Sequence, residues 1–447
     1  MATRWSYSAY SLVSVVGSRS GTPGCGLSGG RWQTLPDERM FVLASKRLQR
    51  HYEGLAAAAT DPAVWNQYDK KRREACTASH VHGALKFFAG RSGVLTPIDR
   101  FDRDPWLLNL ENGVLDLRSL KLHPHDPAHL MTKRAHVSFE DDAQSEAWNR
   151  FIARILPNDN VRRYVQRQLG KTMVAAVLEE HLDIWWGTGA NGKTTFARVM
   201  LNIFGDYARR AAPNLLIASR YESHPTGVAD LMGSRLVFSV ELDQGKRLAE
   251  ALVKDLTGGD RKKARFMRQD FFEFEQTFDI VLIVNHRPVV AGTDQGIWRR
   301  IRLIPFEAYI PPEERQPQDA FVKKILRDRA AVLNWLIAGL RDYRHDPKWV
   351  ADEVQAATDA YRKDMDHVGN FIGEACEVKP RATVEVAVLH MKYEAWCTEQ
   401  GEEPLAKKAL GAAMREHGFA QRQVGQKRTR SWVGLRIGSG RQIAGEQ

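Results

Sequence analysis

Eight consecutive residues, Gly187-Thr188-Gly189-Ala190-Asn191-Gly192-Lys193-Thr194, satisfy G-x-x-x-x-G-K-[ST], a spacing suited to holding phosphate. Glycines let a short loop turn its N–H groups around an anion, and a helix starting at the loop adds the positive end of its dipole. Lys193 would neutralise β and γ phosphates, Thr194 would offer its hydroxyl to a magnesium ion, and Thr195 would complete the cradle. Splitting a phosphoanhydride also calls for carboxylate beside the phosphates. Glu241 lies 47 residues after Thr194, and Asp243, two further on in an extended segment, can face the same way. Glu241 is the expected general base or ligand of magnesium and its water, with Asp243 assisting. Asn285 is the candidate for orienting the attacking water or the γ-phosphate. Arg299 and Arg300 are candidates for a guanidinium that stabilises the transferred phosphoryl group across a subunit interface, with Arg300 slightly favoured.

Each of these residues sits where a regular element can deliver it. Leu182 to Trp186 reads as a strand before the loop, and Thr195 to Phe204 as a helix after it. Arg235 to Val240 reads as a strand ending at Glu241, and Asp279 to Val284 as a buried central strand ending at Asn285. Between these two, Gly258-Gly259-Asp260 signals a tight turn, followed by the basic cluster Arg261, Lys262, Lys263, Arg265 and Arg268. Lys262 or Lys263, at its tip, is the expected contact to nucleic-acid phosphates, with Arg265 beside it. Upstream, residues 31–90 read as mostly helical and 95–122 as short strands and hairpins. Residues 145–178 are helical again, with a Trp148, Phe151, Ile152, Ile155 stripe. Beyond Pro311-Pro312 the period is helical to about Ala375. Glu377 to Pro380 then reads as a linker into a last unit of helices and two strands, Phe419 to Val424 and Ser431 to Ile437.

With 447 residues, 43% hydrophobic and 27% charged, the chain is too long for one small module and too apolar to be disordered throughout. Its net charge of +11 points to a polyanionic partner, nucleic acid first and an anionic membrane surface second. From Leu405 onward nine Lys/Arg stand against two Asp/Glu, so the excess concentrates at the end of the chain. Cys25, Cys76, Cys376 and Cys397 form no C-x-x-C pair, which argues against a zinc ribbon and a disulfide framework and fits a reducing cytoplasm. No apolar run reaches membrane-spanning length, so no membrane-spanning helix is expected, and of the two polyanions DNA rather than a membrane is taken as the partner. The acid-free first 36 residues read as a disordered leader or an upstream start codon.

The motifs occur in a distinctive order: the phosphate loop, Glu241-Leu-Asp-Gln-Gly-Lys-Arg-Leu, Lys254-Asp-Leu-Thr-Gly-Gly-Asp260, Phe272-Glu-Phe274, Val284-Asn-His-Arg-Pro288 and Asp294-Gln-Gly-Ile-Trp-Arg-Arg-Ile-Arg-Leu-Ile-Pro-Phe306. Together they resemble the superfamily 3 helicase domain of phage and plasmid primase-helicases, a group that includes the poxvirus replication ATPase. Trp106-Leu-Leu-Asn-Leu-Glu-Asn-Gly-Val-Leu-Asp-Leu117 is similar to the region preceding that domain. The likeness covers about residues 95–310. It implies an α/β fold with an AAA+-like phosphate-loop core, ATP and magnesium as substrate and cofactor, a ring-shaped homohexamer, and 3′-to-5′ movement on single-stranded or forked DNA in a bacterial host. Residues 254–268 would be its extra motif and pore hairpin. The acidic motif departs from an adjacent pair, leaving the division of labour between Glu241 and Asp243 open.

The expected organisation is a leader over 1–30, a mixed α/β region over 31–144, the helicase domain over 145–310, a helical extension over 311–376 and a basic unit over 377–447. That last unit resembles a winged helix, with Arg428 and Arg430 on the wing and Lys407, Lys408 and Arg415 on or near a helix. About 95 residues before the region of likeness are too few for the primase domain many relatives carry, so a separate primase or initiator is the expected partner. The Asp102-Arg-Asp104 pair reads as structural. The alternatives are an origin-binding or a protein-remodelling ATPase that does not unwind.

Overall fold

A computed structural model describes residues 13–15, 24–89, 96, 100–218, 226–241, 244–267, 270–290, 295–401, 403–425 and 428–438. Of the expected leader, residues 13–15 and 24–30 are described, and there the expectation of disorder is corrected, because they pair as strands in a sheet with Arg31 to Leu35. The rest of the leader lies outside the described residues, as do Asp243 and Arg268.

Strands β1 (Val13–Val15), β2 (Gly24–Ser28) and β3 (Arg31–Leu35) form an antiparallel sheet, followed by helices α1 (Asp37–Ala57), α2 (Pro62–Glu74) and α3 (Ala78–Ala89). Arg31 to Leu35 is thus strand where the helical reading began. Next come β4 (Leu107–Asn109), β5 (Val114–Asp116) and β6 (Lys121–His123), an antiparallel meander, then α4 (Glu146–Ile155) and α5 (Asp159–Lys171). Ser145 caps α4 by accepting from Trp148 N–H, and the Trp148, Phe151, Ile152, Ile155 stripe is buried as its spacing requires. Asp102 accepts from Thr132 N–H at 2.9 Å, while Asp104 takes the Trp106 N–H and the Arg118 guanidinium, so both acids of the D-x-D hold local structure.

The middle of the chain gives β7 (Leu182–Trp186), α6 (Lys193–Phe204), β8 (Ala208–Arg210), α7 (Thr226–Ala229), β9 (Leu236–Glu241), α8 (Glu250–Thr257), β10 (Lys262–Ala264), β11 (Phe272–Phe274), β12 (Asp279–Val284), α9 (Gln295–Trp298) and β13 (Ile301–Pro305). Five of these strands make one all-parallel sheet in the order β13-β7-β12-β9-β8. Parallel strands buried on both faces read as continuous apolar runs, which is why β7, β9 and β12 are legible in the sequence. The result is a mixed α/β protein with a parallel central sheet, consistent with a phosphate-loop ATPase core. One face packs on α6, with Trp185 stacked on Phe196 at 4.9 Å between ring centroids. The meander residues Leu108, Leu110, Leu115 and Leu117 share that core with Trp148. Arg235, buried at the start of β9, donates to the Leu107 and Met173 carbonyls and lies over the Tyr207 ring, bolting sheet to meander.

Helices α10 (Gln318–Ile325), α11 (Arg329–His345) and α12 (Asp352–Met365) follow. The last unit comprises α13 (His367–Ala375), β14 (Cys376–Glu385), α14 (Val386–Gln400), α15 (Lys407–Glu416), β15 (Ala420–Val424) and β16 (Thr429–Ile437), with sheet order β14-β16-β15. Here the expected boundary needs correcting. Glu377 to Pro380 is part of β14, not a linker: Glu377 and Val378 pair with Arg436 and Leu435 of β16, and Lys379 and Pro380 lie in the irregularity before pairing resumes at Thr383. The unit's own core begins at Val368 and Phe371 on α13, packed against Tyr393 and Trp396. Among the described residues, no helix is long and apolar enough to cross a membrane.

Candidate functional site

Sheet register assembles the site. Trp186 of β7 pairs with Val284 of β12, and Val284 pairs with Glu241 of β9, so three strands finish level. Gly187 therefore leaves the sheet beside Asn285, with Glu241 one strand further, ~10 Å from Trp186 at normal strand spacing. This is the carboxyl edge of a parallel sheet, at the strand where chain order reverses, the usual place for a ligand.

The loop is built to wrap an anion. Gly189, Ala190 and Gly192 have φ of 103°, 50° and 81°, values that curl the loop tightly, and the Gly189 N–H donates back to Gly187 O at 2.9 Å. A Cβ at Gly192 would meet Ile155 Cγ2 at 2.4 Å, and one at Gly187 would meet Phe306 O at 2.4 Å, so both positions exclude side chains. Phe306 N–H donates to Trp186 O at 2.7 Å and Ile310 N–H to Ala190 O at 2.8 Å, fastening the loop to the segment after β13. Lys193 opens α6 and turns back: its Nζ donates to Gly187 O at 2.8 Å and to Asn191 Oδ1 at 3.0 Å. Asn191 Nδ2 in turn donates to Phe306 O at 3.2 Å. Burial lowers the Lys193 ammonium to about 8. Thr188 and Thr194 are exposed, and Thr195 Oγ1 accepts from Gln318 of α10 at 3.1 Å. The donors and the cradle fit a polyphosphate, and the exposed Thr194 hydroxyl fits the cation such a ligand carries. Beside Ala190, Gly192 and Thr195 opens a cavity of about 920 Å³, walled by Phe151 and Phe321.

Glu241 is the last residue of β9, Asn285 is half-buried directly after β12, and Asp243 lies outside the described residues. Arg299 and Arg300 are elsewhere. Ile301 pairs with Leu182, at the starting edge of the sheet, ~17 Å along the strands from their own loop. Both contact Glu180, a residue with no signal in the sequence.

The basic hairpin is β10 paired with β11. Lys262 does not face outward as expected: it is 2% exposed, and its Nζ bonds the Asp255 carbonyl and carboxylate, closing the turn through Gly259. Strand alternation sends Lys263 to solvent instead. Lys263 Nζ and Arg265 Cζ lie 5.3 and 4.9 Å from the centroid of Phe271, itself half exposed. In the last unit Lys407, Lys408, Arg415, Arg428 and Arg430 are all exposed.

With the geometry in hand, comparison places the chain among known proteins. Residues 23–157 match the family described as D5 N terminal like, and residues 363–434 match Poxvirus D5 protein-like. A "Putative helicase" of Acanthamoeba polyphaga mimivirus is 26% identical over 61% of this chain and 31% of its own length. One from Frog virus 3 is 24% identical over 65% and 32%, and a "Putative primase" of African swine fever virus is 25% identical over 64% and 32%. The chain thus spans about a third of the length of these relatives. The apo structure of the NrS-1 C-terminal region has the same fold at a TM-score of 0.50, with 9% identity over 95% of this chain and 96% of that one.

Proposed function

We propose, from the premise that D5-type regions flank a phosphate loop in this chain, that it is an ATP-dependent DNA helicase that replicates a phage, plasmid, viral or integrated genome. The observation that carries this reading is the register that ends β7, β9 and β12 level, bringing the loop, Glu241 and Asn285 to one edge. The strand order supports an AAA+-like core, and the resemblance to superfamily 3 helicases extends the proposal to a ring that moves 3′ to 5′.

Lys193 would leave Gly187 O and Asn191 for the β and γ phosphates, while the loop N–H groups hold the remaining oxygens. Thr194 and Glu241 would hold magnesium, which when bound neutralises phosphate charge. Glu241, assisted by Asp243, would take the proton of the attacking water, and Asn285 would orient that water. Arg299 or Arg300, too far from its own loop, would serve a neighbouring protomer's site, and the greater exposure of Arg299 favours it. Lys263 and Arg265 would track DNA phosphates in the ring while Lys262 braces the hairpin. The last unit runs helix, strand, helix, helix, strand, strand, the order of a winged helix, with α15 and the Arg428–Arg430 turn presented to DNA.

ATP hydrolysis by the full chain, with and without single-stranded DNA, tests the reading beside Lys193→Ala. The expected result is DNA-stimulated hydrolysis that the variant lowers by ~10²-fold or more, together with strand displacement on a forked duplex. Hydrolysis indifferent to DNA would favour protein remodelling, and DNA-stimulated hydrolysis without unwinding would favour origin binding.

A further inference from the structure

Three charged side chains converge at the sheet edge opposite the phosphate loop. Glu180 lies in the segment leading into β7, and Arg299 and Arg300 connect α9 to β13. One oxygen, Glu180 Oε2, accepts from Arg300 Nη2 at 2.9 Å and from Arg299 Nη2 at 3.3 Å. Arg300 Nη1 also donates to Gly296 O at 3.0 Å, and the Leu182 N–H donates to Arg300 O at 2.6 Å, so the two segments are joined through backbone as well. The Arg300 side chain is 11% exposed and that of Arg299 is 64% exposed.

These contacts divide the work between the arginines. Arg300 is a strut, held at both ends of its guanidinium. Arg299 is mostly exposed, and among the described residues its side-chain acceptor is Glu180 Oε2. Without Glu180 the two guanidiniums would be neighbouring like charges with no shared acceptor, and Arg299 would turn away from Arg300. An exposed ion pair contributes too little free energy to lock an arginine away from a phosphate, so orientation is what Glu180 has to offer.

We infer that Glu180 is a positioning residue for hydrolysis in the neighbouring protomer, aiming Arg299 through the fixed Arg300. The inference rests on the reading of Arg299 as the arginine that acts across the interface, and the test separates the two.

DNA-stimulated hydrolysis by the full chain is measured for Glu180→Ala, Glu180→Gln and Arg299→Ala, with nucleotide affinity read by a fluorescent ATP analogue and folding by thermal unfolding. Glu180→Ala should lower kcat by about tenfold to a hundredfold, as a misdirected catalytic group does, with affinity unchanged. Glu180→Gln, which keeps an acceptor for Arg300, should fall in between and guards against a folding defect in the alanine variant. Mixing Glu180→Ala with Lys193→Ala protomers should restore hydrolysis, because each supplies what the other lacks. Wild-type kcat in Glu180→Ala beside an inactive Arg299→Ala overturns the positioning role and leaves Arg299 in place. Wild-type kcat in both overturns the reading of Arg299 itself. Failure of the mixture to recover also overturns the inference, since Glu180 would then act only within its own protomer.

Discussion

Lys193 is the residue on which the proposed phosphate chemistry rests most directly. Its ammonium donates hydrogen bonds to Gly187 O and Asn191 Oδ1, and burial brings its pKa down to about 8. Bound phosphates favour the charged form, so occupancy raises the pKa again. Below pH 8 the lysine is already charged and binding takes up no proton. Above pH 8 binding must protonate it, and affinity should fall by up to ~10-fold per pH unit until the bound-state pKa is reached. Titration with a fluorescent ATP analogue between pH 7 and 9.5 checks this; a flat profile would mean that the lysine is not desolvated before the nucleotide arrives. The glycines follow a separate logic, since Gly187 and Gly192 are required by the approach of Phe306 O and Ile155 rather than by charge.

Among elements, the β10–β11 hairpin puts two adjacent lysines in opposite environments. Lys262 is turned inward onto Asp255, whereas Lys263 and Arg265 flank the exposed ring of Phe271. Lys262→Ala should lower stability by about 1–3 kcal/mol through loss of the Asp255 tie, visible as a drop of several degrees in Tm. Lys263→Ala should leave Tm unchanged while weakening single-stranded DNA binding and reducing its salt slope by about 0.7. Interchanged results would mean that the hairpin turns its faces over when DNA binds. A basic run alone could not make this distinction: alternation along a strand decides which lysine is inside, and its phase depends on what the strand packs against.

The whole chain joins a phosphate-loop core, sharing one apolar core with the β4–β6 meander, to a terminal unit with a core of its own. A truncation that tests the terminal unit must therefore fall before α13. A cut at residue 380 would split β14 and strip Val368 and Phe371 of their partners. Ending the chain at Met365 should preserve basal hydrolysis while weakening duplex DNA binding and flattening its dependence on salt. Isotherms at several salt concentrations check this, and unchanged slopes would move DNA contact away from the terminal unit.

What the sequence determined by itself was whatever lies close along the chain. The phosphate loop is contiguous, its flanking strand and helix are set by apolar period, and the β9 and β12 strands are long apolar runs with abrupt polar ends. Motif order was enough to indicate the D5-type relationship. Tertiary structure alone decided the pairings that require the chain to return: Asn191 on Phe306, Gly192 against Ile155, and Glu180 holding arginines more than a hundred residues away. It also turned Lys262 inward and drew Glu377 to Pro380 into a sheet. Local propensity does not register such contacts, because a side chain's burial and an edge strand's pairing are set by neighbours that only the closed fold brings within reach.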